Sequence, residues 1–349
     1  MLSADTPART NAGEAARKRE LALAAAGGRL VTSRPWDVRW LLCGRGRPVD
    51  EAAPCSPYTV VLDGDSARVL YQDLERSRVE AEERWEELGY EAVPYPWFEA
   101  HGLEDTPPVL DELRRELSDE ELARYRSAGA DAADVMRATL PALHAELTER
   151  EAAAELARQA RLRDLLLPVV LVAGDERQRL HRHPLPTEEP LGRHALLAVT
   201  AQRDGLHVSL TRLVSFGPPP EELVRLVRAC AEVDAAFLVA SQPAATLGDV
   251  FAAGERAYAD QGFDGEWRGH HQGGLTGYRG REVVATAEDP TAIPRAAAIA
   301  WNPSIGGGAK SEDTALVAER GGVEVITRTP DLGEVETSLD FRRPAIVEL

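Results

Sequence analysis

The chain has 349 residues, 44% hydrophobic and 28% charged, enough for two domains that each bury a core. Its net charge of −18 argues against a nucleic-acid backbone as partner, which needs clustered Lys and Arg. No apolar run reaches the roughly 18 residues of a membrane span, so no membrane partner is expected.

The opening MLSADTPARTNAGEAARKRE has no apolar stretch of a signal peptide and reads as a short disordered arm entering a helix. That Ala/Glu/Arg-rich helix covers about 14–27 and stops at Gly27-Gly28. Apolar runs at 30–32, 38–42, 58–62 and 69–71 read as short strands, with a turn at 63–66. A surface helix is expected over Asp73 to Leu88, and a strand resumes at Ala92-Val93. Pro94, Pro96, Pro107 and Pro108 then mark a linker, so residues 1–108 are expected to form a small α/β domain and 109–349 a second domain.

The second domain opens with helices. Ser118 with Glu121, and Thr148 with Glu151, are capping boxes. The second of these helices should run through Leu165 until Pro168 stops it, with a buried strand at 169–173. A proline-fixed segment carrying His181 and His183 follows. Strands at 195–201 and 206–216 flank Asp204-Gly205, a strong hairpin signal. Helices follow at about 221–240 and 247–261, then strands at 282–285, 297–300, 314–318 and 323–327. That order is α+β. It does not suit a parallel doubly wound sheet, and no GxGxxG or Walker loop is present.

One stretch concentrates chemistry: WRGHHQGGLTGYRGRE, residues 267–282. Glycine lets a backbone approach a ligand, and paired imidazoles supply acid, base or ligand groups near neutral pH. A Gly-rich hairpin with solvated histidines is the bland reading. Lysine is almost absent beside arginine, which reads as a composition bias. Cys43, Cys55 and Cys230 lack zinc-site spacing and suit a reducing cytoplasm.

Four stretches in order, HRHPLPT (181–187), SLTRLVSFG (209–217), GHHQGGLTGY (269–278) and AWNPSIGGGAKSEDTALV (300–317), resemble the creatinase/aminopeptidase P/prolidase group. The resemblance implies a creatinase-like N-terminal domain, a "pita-bread" domain with a curved antiparallel sheet backed by four helices, and a homodimer. It puts His183 at a substrate-side histidine, His271 at the histidine of the Gly-rich loop, Glu312 at the last acidic metal ligand and Arg212 at the arginine of the strand signature. The family's peptidases hold two metal ions on two aspartates, a histidine and two glutamates. Ala198, Ser209 and Asn302 stand at three of those five positions, so no dinuclear site is expected and no cofactor is assigned.

His183, His271 and Glu312 are accordingly the candidate catalytic residues, expected in one pocket with Tyr278 or Arg281 at its rim. There an imidazole beside a carboxylate would be poised near neutrality. His183 could instead be a structural hydrogen-bonder, and Glu312 half of a surface pair with Lys310. His270, Tyr278, Arg281, Glu282, Arg212, Trp301 and Asn302 are candidate substrate binders; Trp301 could equally be core, and Arg212 could pair with an acid inside the sheet. The expected function is metal-independent cleavage of a C–N bond in a small molecule or short peptide, creatinase-like, with His183 as general acid/base. One alternative is a metallopeptidase with a single divalent metal on His183, His271, Glu282 and Glu312. The other is a non-catalytic peptide-binding module.

Overall fold

The computed structural model describes residues 11–318 and 321–349; the expected N-terminal arm lies outside them. The chain divides into two compact units, Met1–Arg114 and Arg115–Leu349.

In the first unit α1 (Ala12–Ala25) is closed by Gly27 and Gly28 in left-handed conformations, with the Gly28 amide on the Leu23 carbonyl at 2.8 Å. Next come β1 (Arg29–Thr32) and α2 (Pro35–Leu41). The run 38–42, expected as a strand, is the buried face of α2. Pro35 opens that helix, and Val38, Leu41 and Leu42 recur at helical spacing. β2 (Thr59–Asp63) and β3 (Ser66–Gln72) form a hairpin, α3 (Arg76–Arg78) is a single turn, and β4 (Glu91–Tyr95) lies parallel to β3. The sheet order is β1-β2-β3-β4. The long helix expected over 73–88 is instead a series of short turns broken at Arg84, whose φ is 43°. Just after that break Trp85 is fully buried against Tyr58 and Tyr71, at centroid distances of 5.0 and 5.7 Å. Burying the indole outweighs a continuous helical ladder.

In the second unit both capping boxes form, opening α4 (Asp119–Thr139) at Ser118 and α5 (Glu149–Arg161) at Thr148. β5 (Leu166–Gly174) contains Pro168, which the sequence suggested as a helix stop. Proline cannot donate to a ladder, and β5 is an edge strand whose register shifts between Leu166 and Val169. The short α6 (Asp175–Leu180) leads to the hairpin of β6 (His194–Arg203) and β7 (Leu206–Ser215), turning at Asp204-Gly205. α7 (Glu221–Ala240) and α8 (Leu247–Asp260) follow.

Short strands complete the chain: β8 (Gly273–Thr276), β9 (Val283–Val284), β10 (Ala297–Trp301), β11 (Ser304–Ile305), β12 (Ala309–Lys310), β13 (Asp313–Val317), β14 (Val323–Val325), β15 (Glu334–Glu336), β16 (Arg342–Pro344) and β17 (Ile346–Glu348). The two main sheets run β17-β7-β6-β5 and β14-β13-β10-β8-β9. All their pairings are antiparallel except β17 with β7. β7 joins them: the Thr211 amide donates to the Glu312 carbonyl at 2.9 Å, and that of His207 to the Gly277 carbonyl at 3.0 Å. This is the mixed α+β architecture that the resemblance implies.

The core sits between the sheets and α7 with α8. Trp301 belongs to it: its ring stacks on Phe237 at 4.6 Å and its Nε1 donates to Ser241 Oγ at 2.9 Å. The helices touch at Gly254, where a Cβ would stand 2.0 Å from Phe237 Cζ. Because Phe237 is itself clamped against Trp301, the ring has nowhere to move. Alanine's better helix propensity, about 1 kcal/mol, is therefore set against an overpacking cost of about 1–3 kcal/mol. We expect Gly254→Ala to lower the unfolding free energy in a denaturant titration; an unchanged or raised value would show that the ring relaxes.

Candidate active site

A cleft of about 360 Å³ opens in the second unit. Part of its lining is apolar: Pro168, Val169, Leu171 and Ala198, from the irregular edge of β5 and from one face of β6. The polar lining includes His183, His271, Arg281, Asn302, Lys310 and Glu312. The three residues singled out as catalytic candidates thus share one cleft, with Arg281 among its lining.

Each polar residue is held by a different device. His183 follows Arg182, which donates to Ser304 Oγ at 3.1 Å and pairs with Glu266. His270 and His271 precede Gln272, whose Nε2 donates to the His270 carbonyl at 2.6 Å while its Oε1 accepts from Tyr258 at 2.9 Å. Gly273 has φ +102°, and a Cβ there would lie 2.1 Å from the Ala300 carbonyl. This glycine therefore serves close pairing of β8 with β10. Glu312 accepts from Thr211 Oγ1 at 2.9 Å and Arg281 Nη2 at 3.3 Å, and Lys310 Nζ lies 3.9 Å from it.

The tautomers of the histidine chain follow from its partners. His270 Nδ1 contacts the His271 carbonyl, which can only accept, so Nδ1 carries the proton. The neutral ring then has a bare Nε2, which accepts from His183 Nε2 at 2.8 Å. His183 is left with its lone pair on Nδ1.

Burial first, then the Lys310 charge, lower the His183 pKa below the ordinary 6.5; the nearby Glu312 opposes this more weakly. The poise near neutrality expected from a neighbouring carboxylate is therefore corrected downward. His271 falls to about 4 and His270 to about 2, again mainly through burial. His183 and His271 keep an edge open to solvent at the cleft, whereas His270 is 9% exposed. Lys310 is also lowered by burial, with Glu312 working against that.

Several expected substrate binders lie elsewhere. Tyr278 is buried and donates to Glu121 Oε1 at 2.8 Å, tying its loop to the cap of α4. Glu282 folds back to accept from the Arg279 amide at 3.2 Å. Arg212 is enclosed between sheets, donating to Asp313 Oδ1 at 3.0 Å, Thr329 Oγ1 at 2.7 Å and the Thr327 carbonyl at 2.7 Å. With Trp301 in the core, these four are structural. Sequence reasoning considered Lys310 only as half of an alternative surface pair with Glu312, yet it is 8% exposed and lines the cleft. A signal was present: the chain has two lysines, Lys18 and Lys310, in a background of arginine, and both are buried.

A pair of hard divalent ions does not fit these donors. Ala198 and Asn302 offer no charge, and Ser209 Oγ is engaged with Thr200 Oγ1 at 2.9 Å. Among the described residues Glu312 is the carboxylate that lines the cleft, and two cations already face it. The single-metal set fails at Glu282, which is not part of the cleft lining.

Two expectations follow. Arg212, Asp313, Arg343 and Asp234 form one buried ionic network, with Arg343 reaching Asp313 Oδ2 at 2.8 Å and Asp234 Oδ2 at 2.6 Å. Asp313→Ala leaves buried Arg212 without a carboxylate and Arg343 with Asp234 alone, and should cost about 3–5 kcal/mol in unfolding free energy; a loss under 1 kcal/mol would mean that the network is incidental. The second concerns pH. His270 resists protonation when folded, while in the unfolded chain it takes a proton near pH 6.5. Its contribution is therefore present above that pH and drains as pH falls toward about 2, by up to about 1.4 kcal/mol per pH unit. Between pH 6 and 4.5 the native chain should lose stability more steeply than His270→Gln, and parallel slopes would refute the assignment.

Residues 123–319, more than half of the chain, match metallopeptidase family M24. No curated protein matches the sequence. Among solved structures, the dipeptidase PepE of Mycobacterium ulcerans is 17% identical with a TM-score of 0.74, covering 97% of this chain and 99% of its own. The Xaa-Pro dipeptidase of Bacillus anthracis is 16% identical at TM-score 0.72, covering 97% and 100%. The prolidase of Pyrococcus furiosus is 18% identical at 0.70, covering 90% and 99%. These likenesses establish the pita-bread fold, and with the sequence match over its second unit the chain belongs to metallopeptidase family M24.

Proposed function

We propose that the cleft hydrolyses a C–N bond in a small carboxylate-bearing amide without a metal ion, with His183 as general acid/base. The observation that carries this reading is the ordered histidine chain, which leaves a bare His183 nitrogen in a cleft with two cations and a single carboxylate. His183 Nδ1 takes a proton from the attacking water as its oxygen bonds to the carbonyl carbon. The same proton then passes to the departing nitrogen as the C–N bond breaks. Arg281 and Lys310 hold the substrate carboxylate, and Glu312 with His271 orients the water or the substrate. Lowered basicity keeps His183 in its unprotonated, proton-accepting form at neutral pH.

A small amide is in keeping with the fold relatives, whose names include dipeptidase and Xaa-Pro dipeptidase. No helix among the described residues is long and apolar enough to cross a membrane. Cys43, Cys55 and Cys230 are free thiols, consistent with the cytoplasmic setting that belongs to this proposal together with a homodimer.

A second reading rests on one observation. The ring nitrogens of His183, His270 and His271 lie within 4.8 Å of one another, a donor set that suits a single zinc-like ion. When bound, such an ion would polarise a carbonyl or activate water. Lys310 and Arg281 oppose a further cation there.

The test is release of free amine from a panel of N-acyl amino acids and dipeptides, with and without chelator. Turnover that survives chelation and falls by about two to four decades in His183→Ala is expected. The acid limb of kcat/KM should lie below pH 6.5, activity being lost as His183 gains its proton. Activity abolished by chelator and restored by zinc would overturn the reading in favour of the second.

A further inference from the structure

Asn302 stands in the cleft wall, 3% exposed, and its Oδ1 is buried with no hydrogen-bond partner among the described residues. Its backbone is already committed, the amide donating to the Gln272 carbonyl at 3.0 Å, so strand pairing sets the side chain's position. A buried carbonyl oxygen left unpaired costs about 1–3 kcal/mol, and an amide oxygen is an acceptor with no proton to give. A ligand group that reaches this oxygen must therefore bring a donor.

Two neighbouring features narrow the class. Arg281 and Lys310 face Glu312 with two positive charges against one, which leaves a cation for an anionic group. Val169, Leu171 and Ala198, on one face of the β5–β6 pair, add hydrocarbon to the lining. A ligand fitting all three features is an anion with an apolar side chain and an N–H between them.

We infer that Asn302 is a specificity-determining residue whose Oδ1 accepts a hydrogen bond from the amide N–H of an N-acyl α-amino acid with an apolar side chain. The inference rests on the reading of the cleft as an amide site and adds which amides it admits. A secondary amide satisfies Asn302. An amide on a proline or N-methyl nitrogen has no proton to offer and leaves the buried oxygen unpaired. The site therefore selects against such imide bonds even when the rest of the substrate is unchanged.

The experiment is calorimetric binding of N-acetyl-L-leucine and of N-acetyl-N-methyl-L-leucine to the full chain, two probes that differ at that nitrogen. The N–H probe should bind about ten-fold tighter or more, and in Asn302→Ala the two should bind alike. Equal affinity for the native chain, no binding of either probe at millimolar concentration, or a difference that persists in Asn302→Ala would each overturn the inference. The native-chain comparison stands even where the variant fails to fold. His183→Ala should retain the discrimination, because the proton shuttle is not the N–H acceptor. Intact discrimination without any turnover would thus sink the reaction and leave the role of Asn302 standing; turnover without discrimination would do the reverse.

Discussion

The buried ionic network of Arg212, Asp313, Arg343 and Asp234 is the constraint on which the second unit depends. It joins β7, β13, β16 and α7, and its charged groups are almost wholly removed from water. Thr327 Oγ1 adds a 2.6 Å bond to Asp313, and Ser311 Oγ bonds to Asp234. Ion pairs so deep add little net stability compared with apolar packing, but they tolerate few alternative arrangements. Successive side chains on a strand point to opposite faces. Arg212 and Asp313 face the network, while their neighbours Thr211 and Glu312 bond to each other at the cleft. One register decides both.

The cleft carries its charge in an unusual balance. With the histidines neutral, Lys310 and Arg281 outweigh Glu312 by one positive charge, inside a chain whose total is −18. At an ionic strength of 0.1 M screening acts over about 10 Å, so a bound group feels the local cations more than the distant surface. The imidazoles are kept neutral by two effects of the same sign, burial and Lys310. A positively charged cleft is the opposite of what clustered carboxylates would make; apart from Glu312, its lining includes the uncharged Ala198, Thr200 and Asn302.

Much was legible in the chain by itself, because it rests on contacts between near neighbours. The two capping boxes need residues three apart, and the Asp204-Gly205 turn needs two adjacent ones. The order of the four motifs was enough for the family and the fold class. The cluster of His270 and His271 marked the loop that does line the cleft.

What the tertiary structure decided was which side chains face the cleft and which face the core. Trp301, Tyr278, Glu282 and Arg212 lie in or beside the same motifs as the cleft residues, yet each is spent on packing or internal hydrogen bonds. Lys310 went the other way, from an apparent surface pair to a buried cation in the cleft. The broken segment at 73–88 was settled by burial of Trp85, which outweighed local helix propensity. The histidine chain joins residues 87 apart in sequence. Sequence periodicity determines that a residue alternates; only the pairing of distant strands fixes which of the two faces is the cleft, because a shift of one residue exchanges them.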